Sequence, residues 1–239
     1  MKKGLLYLFM LALSCAAFTS CSDDDDDVSP LVNTWNTATG DENDPIINVR
    51  LENATDSVMF IENHISNKDF GNVINELMGA YVKEYLFNVK FKADGELVAS
   101  IKGEDGQPTQ SPAGAVSYKI KGDKVYLIPH LDVMFPDGLP SLTSRASENP
   151  AIDLDKILKE GLPLNYKITN NKLEAYVTRD MMQPFMGLIN EIVQGMEANG
   201  DPMITMMKMA MADMVVIVNE STKFEMGLNF NLAPSATGK

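Results

Sequence analysis

The chain has 239 residues, a formal net charge of −13 and an apolar fraction of 45%. A negative balance of this size disfavours nucleic acid and anionic membrane surfaces as partners. The length suits one large β-rich domain or two small ones, and the apolar fraction is sufficient for a hydrophobic core.

The first twenty residues have the pattern of an export signal. Two lysines precede an apolar run from Leu5 to Phe18, which is too short for a membrane-spanning helix of the mature protein. Small residues then lead to Cys21. This order resembles the lipobox of bacterial lipoproteins, and the resemblance implies that residues 1–20 are removed and that Cys21 is lipidated.

Residues 21–30 are predicted to form an acidic tether. The run from Asp23 to Asp27 consists of carboxylates that repel one another, so it predicts an extended, solvated spacer. The acidic sequence after Cys21 resembles the tag that sends certain Gram-negative lipoproteins to the outer face of the outer membrane. The resemblance implies several acyl chains, a firm anchor and exposure at the cell surface. Because Cys15 falls within the signal, the mature chain would have no second cysteine for a disulfide or a zinc site.

Residues 31–234 are predicted to form a single β-rich domain. Ile46 to Leu51 and Ser57 to Ile61 are β-rich runs, and the polar residues between them predict a hairpin. Ser66 with Asp69 has the pattern of a capping box, and the apolar spacing after it predicts a helix near 66–82.

Three further hairpins are predicted from alternating apolar residues around short turns. Each has a run of alternation, a turn sequence and a returning run with its apolar residues on one face. The runs are 87–91 and 97–101 around Asp94-Gly95, 116–120 and 125–128 around Gly122-Asp123, and 164–168 and 173–177 around Asn170-Asn171.

Three helices are predicted in the last third of the chain. Gly161 closes a short helix near 153–160. Asp180 is the predicted cap of a helix over 180–197, with Pro184 in its first turn, where proline is tolerated. Asp201-Pro202 is the expected start of a helix over 202–213.

The chain is predicted to end in two strands and a short tail. Met214 to Val218 has the composition of a strand, and the alternation from Phe224 to Leu232 predicts a strong last strand. Residues 235–239 are predicted to be a frayed tail.

An early tryptophan, successive antiparallel hairpins and an alternating last strand together resemble the calycin, or lipocalin-like, plan. Asn33-Thr34-Trp35 stands where that family has Gly-x-Trp. The resemblance implies that the first and last strands pair to close a barrel and that Trp35 plugs its base. Independently, antiparallel strands with one apolar face must stack on a second layer or curl until their edges disappear. The expected fold class is mainly β (α+β), an antiparallel meander closing into a lipocalin-like barrel, with helices packed on it or capping it.

Methionine is concentrated in one part of the chain, since ten of the sixteen lie between Met181 and Met214. Thioether side chains are flexible and polarizable, which suits adaptable apolar binding surfaces. One interpretation is that two Met-rich helices line or cover a cavity for an apolar ligand. The other is that they form the core face of two packed helices, the commoner role of an apolar stripe. Under the first interpretation, the ligand-lining residues are Trp35, Met181, Met182, Phe185, Met206 and Met207.

The sequence contains no motif for catalysis, a metal or a cofactor. His64 and His130 are far apart and belong to no metal-binding pattern, and the acidic stretch Asp41 to Asp44 does not fit an EF-hand loop. No Gly-rich phosphate loop and no nucleophile elbow is present. Asp56-Ser57-Val58 resembles a short bacterial O-glycosylation sequon, which leaves glycosylation at Ser57 open. We therefore expect a protein that is not an enzyme and has neither a metal nor another cofactor.

Two functions fit these features. The first is an outer-membrane or cell-surface lipoprotein that binds an apolar or amphiphilic small molecule in a cavity between barrel and helices. The alternative is an interaction module that docks a surface protein or a glycan without a cavity. In both, the bilayer is a partner through acylated Cys21, and nucleic acid is not a partner. A void lined by Met181, Phe185, Met206 and Met207 would favour the first function, and a solid core the second.

Overall fold

A computed structural model describes residues 29–103, 105–134, 159–195 and 202–234. The predicted signal at 1–20, Cys21, most of the tether and the tail at 235–239 lie outside the described residues. Of the helix predicted near 153–160, only residues 159–160 are described; they are helical, and Gly161 follows with a φ of +89°.

The described chain is mainly β, with a few helices. The strands are β1 (Thr34–Thr37), β2 (Ile47–Glu52), β3 (Ser57–Phe60), β4 (Asn63–Ser66), β5 (Leu86–Phe91), β6 (Leu97–Lys102), β7 (Pro108–Gln110), β8 (Val116–Lys121), β9 (Lys124–Pro129), β10 (Leu162–Thr169), β11 (Lys172–Thr178) and β12 (Lys223–Leu232). The helices are α1 (Asn67–Ile74), which passes through a π-helical turn (Asn75–Gly79) into α2 (Ala80–Tyr85), then α3 (Leu131–Met134), α4 (Arg179–Gln194) and α5 (Pro202–Glu220).

One antiparallel sheet contains most of the strands, in the order β7-β6-β5-β1-β12-β11-β10-β9-β8. The first and last strands therefore pair, as the calycin plan implies: Trp35 lies opposite Leu232. Strand β2 also pairs with β12, further along the same edge. Ala38 and Ile46 both bond to the backbone of Asn229 on β12, so β1 and β2 act as one interrupted strand and residues 39–45 loop out between them.

The sheet curls until its two flanks touch at one place. The backbone N–H of Tyr118 on β8 donates to the carbonyl of Gly95, just before β6, at 2.7 Å. Glu96 and Ser117 form an isolated antiparallel bridge at the same point. The result is a curled half-barrel, which agrees with the predicted mainly β class in its coarse form.

The three predicted hairpins after residue 86 are present, and their turns match the turn chemistry. Strands β5 and β6, β8 and β9, and β10 and β11 pair as the three predicted hairpins. Asn170 and Asn171 have φ of +52° and +61°, and Gly95 has a φ of +83°. Asparagine and glycine adopt this left-handed conformation more easily than other residues, which explains why these short turns form.

The predicted pairing of Ile46–Leu51 with Ser57–Ile61 is wrong. Strand β2 pairs with β12, and β3 pairs instead with the short strand β4 to make a separate two-stranded sheet. Alternation marks both segments as strands but does not specify a partner, and β12 offers a longer matching apolar face than β3 does.

The predicted strand at Met214 to Val218 is also wrong, because α5 continues through these residues to Glu220. Met214, Ile217 and Val218 are buried, whereas Val216 is exposed, which is helical and not alternating spacing. By contrast, the helix predicted near 66–82 is present and extends to Tyr85, with the Ser66 side chain accepting a hydrogen bond from the Asp69 N–H at 3.1 Å.

The concave face of the sheet and the helices together form one core. Trp35 is 1% exposed, and its indole N–H donates to the carbonyl of Leu31 at 2.9 Å. Phe91 and Tyr118 meet edge to face within the same core, with ring centroids 5.0 Å apart. The core is therefore continuous from β1 across to β8, where the two flanks of the sheet meet.

The half-barrel has two distinct ends. Leu31 and the Asn170-Asn171 turn lie at one end, since the Leu232 N–H donates to the Asn171 carbonyl at 2.8 Å. We call this the N-terminal end. Helices α4 and α5 join the opposite end, where β11 finishes and β12 begins. The ten residues of β12 separate the two ends by about 30 Å.

Candidate functional site

Helices α4 and α5 run antiparallel and pack together at the end of the sheet opposite the N-terminal end. Helix α4 starts after Thr178, two residues before the predicted cap at Asp180, so Pro184 lies inside the helix and not in its first turn. At this junction Arg179 donates from Nε to the Val218 carbonyl at 3.0 Å and from Nη2 to the Asn219 carbonyl at 2.8 Å. These bonds satisfy carbonyls in the last turn of α5 and fix the two helices together.

A second pair of hydrogen bonds joins the C-terminal end of α4 to the N-terminal half of α5. The Gln194 side chain donates to the Lys208 carbonyl, and the Lys208 ammonium donates to the Gln194 carbonyl, both at 2.8 Å. The charged end of Lys208 is therefore directed towards α4.

Helix α5 is apolar on nearly all sides, but only one side reaches the core. Met214, Ile217 and Val218 are buried, while Met206, Met209 and Val216 are 38%, 36% and 52% exposed. The exposed residues follow a helical spacing, with exposed Ala212 between them, and so lie on one side of the helix. A helix with this distribution is covered by the protein on one side only.

A fourth exposed side chain belongs to the strand that packs against α5. Met59 on β3 is 47% exposed, and together with the three on α5 it completes the set of large apolar side chains that are exposed among the described residues. We call Met59, Met206, Met209 and Val216, with Ala212, the Met face. Three of the four share one side of α5 and the fourth lies on the strand packed against it, whereas exposed apolar residues are normally scattered singly over a surface.

The β3–β4 hairpin is fixed to α5 through a strained turn. Ile61 and Glu62 have φ of +46° and +62°, a conformation that is rare for a β-branched residue such as Ile61. The Ile61 N–H donates to Asp213 Oδ2 on α5 at 2.7 Å, which holds the turn. Beneath it, Phe60 and Phe70 meet edge to face at 5.3 Å and anchor the hairpin on α1.

The six predicted ligand-lining residues occupy three environments. Trp35, Met181, Met182 and Phe185 are all at most 6% exposed and belong to the core. Met206 is part of the Met face, and Met207, beside it, is half-buried. The structure thus places the four core residues in a different environment from Met206, and ligand binding by any of them stays a prediction.

An open groove of about 560 Å³ lies at the N-terminal end of the sheet. Its walls are residues 32–34 and 90–94, and it includes none of the predicted ligand-lining residues. Lys92 in this wall forms ion pairs with Glu96 and Asp94, so its charge is already balanced.

The convex side of the sheet carries an ionic cluster around Arg50. Arg50 contacts Glu174 at 2.6 Å and Glu225, and its guanidinium lies 5.1 Å from the ring centre of Tyr176. Partial burial opposes the charge of Arg50, but the hydrogen bonds to Glu225 and Glu174 outweigh it and raise the pKa of Arg50. Gly227 lies opposite Tyr176, where a Cβ atom would come within 2.8 Å of the Tyr176 Cβ. These contacts link side chains on three neighbouring strands, and the charged groups of the cluster are paired with one another within the sheet.

The two histidines lie apart. The Ser117 hydroxyl and His130 Nε2 are 2.9 Å apart, a pairing that the sequence did not suggest, and His64 is exposed on β4 opposite Met59. No group of three or more His, Cys, Asp or Glu side chains suited to a metal occurs among the described residues. Within the same residues, none of the helices has both the length and the apolar content that a membrane span requires.

The molecule is thus a mainly β half-barrel with a helical pair at one end and an exposed apolar face on that pair. No protein-family model, no curated protein and no solved structure matches the chain.

Sequence reasoning identified the Met-rich helices but not the Met face. The helical period of α5 was obscured because nearly every position is apolar, so the sequence did not separate the buried side from the exposed one. The sequence did show that α5 lacks a polar side. A helix that is apolar all round is usually covered on more than one side, whereas the core covers only one side of α5.

Proposed function

We propose that the protein is a non-enzymatic, lipid-anchored surface protein whose domain docks a partner protein through the Met face. The observation that carries this proposal is the concentration of the exposed large apolar side chains on α5 and the adjoining β3. Contiguous exposed apolar surface on a folded domain is typical of an interaction site. Flexible methionines suit such a site because they adapt to the shape of a partner.

Docking is favoured over a cavity by the burial of the predicted lining residues. Met181, Met182 and Phe185 pack into the core, and the groove at the N-terminal end is formed by other residues. A protein partner is favoured over a glycan because the Met face contains no aromatic ring on which a sugar would stack.

Methionine footprinting tests the docking function. Peroxide converts exposed thioethers to sulfoxides, so the isolated full-length protein should be oxidised at Met59, Met206 and Met209. In intact cells that produce the protein, we expect these three residues to be protected by the partner. Met182 and Met186, which are at most 5% exposed, serve as internal controls that resist oxidation in both samples. Equal oxidation of the three residues in cells and in isolation would contradict the proposal.

The anchor belongs to the same proposal and is tested separately. The lipobox resemblance at Cys21 and the acidic run after it support an outer-membrane lipoprotein exposed at the cell surface. We expect Cys21→Ser to release the protein from membranes and to abolish labelling by a radioactive fatty acid. A variant that still fractionates with membranes would show that the anchor lies elsewhere.

A second candidate function is binding of an apolar or amphiphilic small molecule by the same face. The observation that favours it is the set of three exposed thioethers, Met59, Met206 and Met209, which suit an irregular ligand as well as a protein surface. Native mass spectrometry of the full chain mixed with a lipid extract distinguishes the two. A retained ligand that disappears in Met209→Ser would favour the small molecule, and an unchanged mass would favour the protein partner.

A further inference from the structure

Three carboxylates lie on or beside the Met face. On α5, Asp213 and Glu220 each follow a residue of the Met face by four positions and therefore lie on the same side of the helix as Met209 and Val216. Glu62 is exposed at the tip of the hairpin, next to Ile61, whose N–H donates to Asp213. These three carboxylates give this side of the Met face a negative charge, and we call them the acidic rim.

The rim has no compensating cation on α5. Lys208 is the only basic residue of that helix, and its ammonium donates to the Gln194 carbonyl on the side of α4. An apolar strip with an acidic border is complementary to an apolar strip with a basic border, and such complementarity selects partners and speeds their association.

The size of the Met face limits what can occupy it. Its four large side chains form a small apolar surface, whereas each partner in a standard stable interface buries about 800 Å² in total. A second copy of this chain would bring an equal acidic rim to the contact, which opposes self-association. The dimensions and the charge instead fit a single segment with apolar side chains at i, i+3, i+4 and i+7.

The position of the Met face disfavours the protein's own membrane as the occupant. The chain enters the domain at the N-terminal end, whereas α5 joins the sheet at the opposite end, about 30 Å away along β12. An anionic bilayer would also be repelled by the acidic rim.

We infer that the Met face binds a basic amphipathic helix of a partner protein. This inference rests on the docking function proposed above and specifies the chemistry of the partner. The apolar side chains of that helix lie along Met206, Met209 and Val216, and its lysines or arginines lie against Glu62, Asp213 and Glu220.

Two matched peptides test the inference. Both are helical, with the same leucines at i, i+3, i+4 and i+7, and they differ only in lysine or glutamate at the remaining positions. Binding to the purified full chain is measured by fluorescence anisotropy of the labelled peptide at low and moderate salt. We expect the lysine peptide to bind at least about tenfold more tightly than the glutamate peptide, and its affinity to fall as salt rises.

Matched variants separate the face from the general acidity of the protein. Glu62→Lys with Glu220→Lys should weaken binding of the lysine peptide severalfold. Glu42→Lys with Glu76→Lys makes the same change in net charge at two exposed carboxylates of other segments and should have little effect. Met209→Ser with Val216→Ser should weaken binding about tenfold, because both residues are exposed anchors whose loss leaves the core intact.

The outcomes distinguish a failure of the basic-helix inference from a failure of the docking function on which it rests. Equal binding of both peptides, lost in the Met209→Ser and Val216→Ser variant, would leave the docking face in place but overturn the basic partner. Equal weakening by the two charge-reversal pairs would likewise overturn it. No binding of either peptide, together with unprotected methionines in cells, would overturn both. Self-association of the full chain in sedimentation that is lost in the same serine variant would replace the basic helix by a second copy.

Discussion

Trp35 shows how much a single residue contributes to the core beneath the first strand. It lies on β1, between β5 and β12, with its ring in the core and its indole N–H bonded to the Leu31 carbonyl at 2.9 Å. The same bond holds Leu31, which is 0% exposed, against the end of the core where the chain enters the domain. Trp35 therefore links the first strand to the segment that precedes it.

Replacing Trp35 by Phe should therefore destabilise the protein. The change removes ring volume and leaves the Leu31 carbonyl without its partner, and we expect the free energy of unfolding to fall by about 2–3 kcal/mol. Urea denaturation followed by circular dichroism measures the change. As a control, Met59→Ala at an exposed site should alter the stability by less than about 0.5 kcal/mol. A Trp35→Phe effect as small as that of the control would contradict the role given to Trp35.

Asp44 should make the stability depend on pH in the acid range. Its carboxylate accepts hydrogen bonds from Lys172, Asn231 and the Thr39 N–H, each at 2.7 Å. Burial of the carboxyl would raise the pKa of Asp44, but these bonds outweigh it and lower the pKa from 3.8 to about 2. Because the pKa is lower in the folded state, the stabilisation is complete above 3.8 and is lost as the pH falls towards 2.

Asp44→Asn tests this dependence. We expect the variant to be less stable than the natural protein at pH 6, and the difference between them to shrink as the pH falls from about 4 to about 2. Urea unfolding at a series of pH values gives the two curves. A difference that stays constant over this range would show that the Asp44 charge does not contribute.

At the scale of the element, α5 is where the sequence is least informative. Met214 to Val218 is rich in β-branched residues, and its apolar positions satisfy a period of two as well as a period of 3.6. The helix prevails because it places Met214, Ile217 and Val218 together against the core, and because Arg179 satisfies the carbonyls in its last turn. Neither contact is visible from local propensity.

Two adjacent substitutions distinguish the helix from the predicted strand. In the helix Ile217 is 3% exposed and Val216 is 52% exposed, whereas alternation would have buried Val216 with Met214 and Val218. We expect Ile217→Ala to lower the free energy of unfolding by about 2–4 kcal/mol and Val216→Ala by less than about 0.5 kcal/mol. Thermal or urea unfolding measures both. The reverse order of the two effects would favour the strand.

Hairpins with a local turn could be predicted from sequence, whereas pairings between distant segments could not. Asp94-Gly95 and Asn170-Asn171 specify both the turn and the two strands that flank it. Strand β2 has no such local marker, because its partner β12 follows it by more than 170 residues. Likewise, the Met-rich helices could be located from composition, but the exposed side of α5 could not, because the burial of each side depends on α4 and β3.

At the scale of the whole molecule, stability should be graded from β12 outwards. Strand β12 has β11 on one edge and both β1 and β2 on the other, so all of its length is paired. Strand β7 has three residues, all of them exposed, and lies at the edge of the sheet. The two strands are thus the extremes of burial and pairing in the main sheet.

Native-state hydrogen exchange should reproduce this gradient. We expect the amides of β12 to exchange only through global unfolding and those of β7 to exchange through local opening at far lower free energy. Mass spectrometry of peptides from each strand provides the measurement. Protection of β7 equal to that of β12 would mean that the sheet opens as one unit.

The interruption between β1 and β2 has a practical consequence. Residues 39–45 leave the sheet, and the chain returns to the same edge of β12, so the pairing with β12 does not fix the length of the segment between the two strands. Ala38 and Ile46 fix the two ends of the excursion, since both are at most 2% exposed, while Gly40 to Glu42 between them are exposed. A reporter peptide inserted after Glu42 would therefore extend the excursion outwards without shifting any strand, which makes this position a suitable place to attach a label to the folded domain.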